Sequence, residues 1–84
     1  MDKMLLENAE QGNLELVKEA LVQGADIHVE NDEALRWASE NGHIEVVKYL
    51  VEHGANIHAY DDGALRLASL NGHTRIIKYL KSFL

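Results

Sequence analysis

Apolar residues along this chain fall into short stripes with helical spacing. Within residues 44–52, Val46, Val47, Leu50 and Val51 recur at the intervals that gather side chains on one side of a helix. A shorter stripe of Ala34, Leu35 and Ala38, flanked by Trp37, occupies residues 33–40. Asn41-Gly42 between the stripes is a turn signal and a helix stop. Gly54 stands just past the second stripe, where a left-handed residue closes a helix. The stretch from Ala55 to Asp62 is polar, too short for another helix, and holds one apolar anchor, Ile57. It predicts a tight turn or a short hairpin.

The same text recurs every thirty residues. Gly12, Gly42 and Gly72 keep that spacing, as do Gly24 and Gly54. GADIH at Gly24–His28 returns as GANIH at Gly54–His58, and ASENGH at Ala38–His43 returns as ASLNGH at Ala68–His73. Residues 31–54 and 61–84 share 12 identities in 24 positions, which excludes coincidence. The chain therefore reads as one domain, residues 1–84, built of units 1–30, 31–60 and 61–84. No unit can bury its stripe alone. Stacked units bury a continuous core, the signature of a repeat solenoid.

Stacking also answers a difficulty of size. A chain of 84 residues buries only about 60% of its extended surface as an ordinary globule. There is no Cys, so no disulfide reinforces it, and thiolate chemistry and Cys-based zinc sites are excluded. Apolar residues at 46% and charged residues at 26% are ordinary for a folded domain. No apolar run approaches a membrane span of about 20 residues, and MDKMLLENAEQ is not a signal sequence. Eight basic against fourteen acidic residues give a net charge of −6, which argues against nucleic acid or an anionic membrane as partner. The charge is uneven: units one and two carry −5 and −3, and unit three carries +2.

The pattern resembles the ankyrin repeat, a turn or hairpin followed by two antiparallel helices. Unit two reads E-A-L-R-W-A-S-E-N-G-H-I-E-V-V-K-Y-L-V-E-H-G-A-N-I-H. Its Leu35, Ala38, Gly42, His43, Glu45, Val46, Val47, Leu50, Gly54, Ala55 and Asn56 fall on the family's positions. Leu65, Leu67, Ala68, Gly72, His73, Ile76, Ile77 and Leu80 match in unit three. Unit one matches less well, through Leu5, Gly12, Glu15, Val17, Gly24, Ala25 and Asp26, with Ala9 displaced by one position. The resemblance implies an all-α solenoid of helix-turn-helix units. Two departures stand out. The family's Thr-Pro is Glu33-Ala34 and Gly63-Ala64 here, and its His is Arg36 and Arg66. The period of thirty is three short of the family's, and the missing residues belong to the connection. Thirty-residue units with A-L-R-x-A-S-x-N-G-H text look like those of ankyrin proteins encoded by giant amoeba-infecting viruses; an engineered repeat protein is the alternative origin.

The resemblance implies stacked units that hold His28 from His58, and His43 from His73, too far apart to converge on one zinc ion, and no metal or other cofactor is expected. The family position implies that His43 and His73 cap or bridge the turn after the first helix. Asp32-Glu33 and Asp61-Asp62 precede helices, where carboxylates suit free N–H groups and the helix dipole better than acid–base catalysis. Arg36 and Arg66 are read as bonding carbonyls or carboxylates of the next connection, with Asp32 and Asp62 the evident acceptors. Trp37 sits at a position that the resemblance makes buried. Tyr60 lies in a connection with no apolar partner nearby and is the best aromatic anchor for a partner.

No catalytic constellation emerges. The reading is a non-catalytic protein–protein interaction module with a concave face of first helices and connections. Its expected contact residues are Glu30, Asp32, Glu33, Arg36, Glu40, Tyr60, Asp62, Arg66 and Leu70, and its partners are basic or mixed in charge. A structural scaffold without a ligand of its own is the other reading. The expected location is the cytoplasm, that of the host for a viral chain. Leu70, Phe83 and Leu84 leave the last unit apolar at its end. They predict weak homodimerisation, by a symmetric contact of third units or head to tail.

Overall fold

A computed structural model describes residues 1–84. Six helices follow one another: α1 Asp2–Gln11, α2 Leu14–Val22, α3 Val29–Glu40, α4 Ile44–Glu52, α5 Ala59–Leu70 and α6 Thr74–Lys81. They pair as α1 with α2, α3 with α4 and α5 with α6, and successive pairs stack through α1, α3 and α5. This is an all-α repeat solenoid, 31 Å long and 18–19 Å across. No strand forms, so the connections are turns and not hairpins. No helix is long and apolar enough to cross a membrane.

Glycine makes the tight turn inside each pair possible. Gly12, Gly42 and Gly72 have φ of 79°, 79° and 70°, a left-handed conformation that costs glycine nothing. The amide that follows then returns to the carbonyl five residues back: Asn13 to Asn8 at 2.9 Å, His43 to Ala38 at 2.9 Å, and His73 to Ala68 at 3.0 Å. The glycine also makes room for the neighbouring unit. A Cβ on Gly12 would lie 2.5 Å from Nδ1 of His43, and one on Gly42 would lie 2.7 Å from the His73 ring.

The core runs unbroken along the stack. Leu5, Val17, Leu35, Val46, Val47, Leu50, Ile76 and Leu80 are buried, with alanines 9, 20, 34, 38, 64 and 68 between them. The alanines on first helices let α1, α3 and α5 approach closely. Second helices add a surface ladder: the Lys18 ammonium sits 5.4 Å from the Tyr49 ring and that of Lys48 5.9 Å from Tyr79. Trp37 departs from expectation. It is half-buried and lies outside the core cluster, on a flank of α3 that no neighbouring helix covers fully.

Candidate protein-binding face

The edge of the stack where connections meet first helices is built from an unusual backbone. Glu30, Asn31 and Asp32 have φ of 52°, 59° and 57°, and Tyr60, Asp61 and Asp62 have 60°, 54° and 55°. Each triplet is a left-handed helical turn, closed by the amides of Asp32 and Asp62 on the carbonyls of His28 and His58. Right-handed helix takes over at Glu33 and Gly63. Left-handed residues other than glycine cost roughly 1–2 kcal/mol each, so a run of three needs support from outside.

Arginine supplies it. Arg36 donates from Nε to the Asn31 carbonyl at 3.1 Å and from a terminal nitrogen to the Glu30 carbonyl at 2.8 Å. Arg66 does the same to Asp61 and Tyr60, both at 2.8 Å. The reading of these arginines as bonding the next connection, on Asp32 and Asp62, is thereby corrected. Each guanidinium forks over two carbonyls of the left-handed turn five and six residues before it, a geometry suited to its planar donor set. The Arg36 guanidinium also covers the Tyr60 ring, 4.6 Å from its centre. Its stem passes so close to Gly63 that a Cβ there would lie 2.8 Å from the Arg36 Cδ.

The carboxylates do not cap the helices they precede, a second correction: neither Asp32 nor Asp62 accepts from an amide of its own helix, and Asp32 reaches the next connection instead. Asp32 is buried and accepts from the Asn56 amide at 2.8 Å and from Nδ1 of His28 at 3.0 Å. In unit one, Asp2 takes the Asp26 amide at 2.9 Å. Asp62 accepts from Nδ1 of His58 at 2.7 Å. His43 and His73, expected to serve the turn after their own first helix, tie units together instead, donating from Nε2 to the carbonyls of Glu10 and Glu40, each at 2.8 Å. The ties made by Asp2, Asp32, His43 and His73 fix successive units against one another.

Of the expected contact residues, Glu30, Tyr60, Arg66 and Leu70 are exposed, and Glu33, Arg36, Glu40 and Asp62 are half-buried. Asp32 is withdrawn from the set, because burial and its bonds from the Asn56 amide and the His28 ring leave it nothing to offer a partner. Tyr60 is 61% exposed even with Arg36 on one face. Tyr60, Asp61 and Arg66 line a shallow cavity beside it. Sequence reasoning missed the role of Asn31 and Asp61, whose backbone carbonyls hold the arginines. The one signal was the paired recurrence of Arg36 and Arg66 five residues after them. No three His, Cys, Asp or Glu side chains converge as a metal site requires.

Helix pairs, inter-unit histidines and αL glycines thus recur at one period throughout. The family model "Ankyrin repeats (3 copies)" matches residues 5–82. The chain belongs to the ankyrin repeat family. No curated protein matches it. Ankyrin-repeat domains are non-catalytic scaffolds. Its departures from the family signature have a common logic: where Thr and His usually serve the turn, Arg36 and Arg66 hold a left-handed one.

Proposed function

We propose that this ankyrin module binds a protein partner through the edge formed by the two left-handed turns and the adjoining ends of α3 and α5. The observation that carries this is Tyr60, an aromatic ring held out to solvent and fixed in place by Arg36. A side chain already immobilised loses little entropy on binding, and tyrosine is enriched among residues that dominate interface energy. Asp61 and Arg66 line the cavity beside it, and the chain carries −6 overall, which favours a partner of basic or mixed charge. The thirty-residue period and the A-L-R-x-A-S-x-N-G-H text favour an origin among viral ankyrin proteins, and so a partner in the host cytoplasm.

Capture from host lysate on the immobilised chain tests the reading. Tyr60→Ala should abolish capture while leaving helicity by circular dichroism intact. Capture that survives the substitution would move the contact surface elsewhere. No specific capture at all would favour a scaffold without a ligand.

A further inference from the structure

The two ends of the stack are unlike, and each shows what an adjoining unit would cover. In unit two, on which unit three stacks, Leu35, Ser39 and Val47 are buried. Their equivalents in unit three, Leu65, Ser69 and Ile77, are exposed or half-exposed. The carbonyls of Glu10 and Glu40 each receive a histidine from the next unit, and the equivalent carbonyl of Leu70 receives none. A cavity opens there, lined by Leu65, Arg66, Ser69, Leu70 and Lys81. At the other end, Val46 and Ile76 are each 1% exposed, whereas Leu16, at the same position of unit one, is 46% exposed.

We propose that these ends are the two halves of one interface, so that copies of this chain stack head to tail, unit one of one copy on unit three of another. The contact continues an interface that the fold already makes twice. Leu16 occupies the position of Val46 and Ile76 and meets Ile77 and Leu65 as those residues meet their own predecessors. Charge sets the direction: unit one carries −5 and unit three +2, with Arg66 and Lys81 at the receiving face. A symmetric contact of third units sets +2 against +2 and faces each free carbonyl with another. The proposed contact is weaker than the intrachain one for a definite reason. Asn13 stands where units two and three have histidine, and its amide is turned to Asn8 and Gln11 of its own unit. A small interface of this kind belongs to the weak, transient class. Because each copy retains a free end, the association does not close.

Sedimentation of the 84-residue chain from 10 µM to 1 mM in low salt is the test. The weight-average mass should rise without levelling at a dimer, and added salt should lower it. Leu16→Glu blocks one end and Ser69→Glu the other, so each variant alone should remain monomeric. Mixed in equal amounts, they should form dimers and nothing larger, since the mixture contains one intact interface. Both sites are exposed, and thermal melting confirms that each variant folds. A second measurement needs no variant: on raising the concentration of the unaltered chain, amide resonances around Leu16 and Ser69 should move together. A monomeric mass at 1 mM, dimerisation of Leu16→Glu alone, a mixture that stays monomeric, or shifts confined to unit three would each overturn the proposal.

Discussion

Gly42 and Gly72 share sequence surroundings and a left-handed backbone, yet they differ in what lies above them. The His73 ring occupies the space over Gly42, and nothing lies within 4 Å of a Cβ placed on Gly72. Gly72→Ala should therefore cost only the left-handed penalty, roughly 1 kcal/mol. Gly42→Ala should cost about 2–4 kcal/mol, because it also displaces His73 from the Glu40 carbonyl. Urea unfolding of the two variants checks the difference, and equal losses would show that the histidine contributes nothing. Tyr79 allows a second prediction. Burial, and then the Glu52 carboxylate, raise its phenol above the ordinary value. The folded chain thus holds that proton more tightly than the unfolded one. The resulting stability is present below about pH 10 and is lost as pH rises through the raised value. Tyr79→Phe should show a shallower fall in melting temperature above about pH 10 than the unaltered chain.

At the scale of elements, the left-handed turns depend on arginine. Arg36→Ala removes two hydrogen bonds to its turn together with the cover over Tyr60 and Gly63. Arg66→Ala removes two hydrogen bonds and no such cover. Each loss is about 1–3 kcal/mol, with that of Arg36 the larger, measurable in urea. Arg36→Lys should rescue little, because an ammonium cannot fork over two carbonyls. This element marks where the sequence ceases to be legible. Helices over 33–40 and 44–52 were readable because apolar spacing and stop glycines are local signals, and the structure ends α3 and α4 at Glu40 and Glu52. The turns were not readable as left-handed, since neither Glu30-Asn31-Asp32 nor Tyr60-Asp61-Asp62 contains the glycine that announces such backbone. Asp32 was misread for a similar reason. A carboxylate before a helix looks like a local cap, but its amide partner is 24 residues away. Tyr60 was legible as exposed, and its immobilisation by Arg36 was not.

For the molecule as a whole, unit two is the joint. Leu50 is fully buried at its centre. Leu50→Ala should cost about 2–5 kcal/mol, a large part of the stability of a domain this size. Circular dichroism should show the cooperative transition lost or its midpoint lowered by many degrees; a midpoint unchanged within a few degrees would refute the stacking register. The spacing of the inter-unit ties has a further consequence. Asp2 and Asp32 reach amides 24 residues ahead, and His43 and His73 reach carbonyls 33 residues behind. Bringing two such partners together closes a loop of only a few dozen residues, and the entropy of that search is nearly the same for either pair of neighbours. The chain should therefore fold quickly for its length, starting from any adjacent pair of units and adding the third as a separate step.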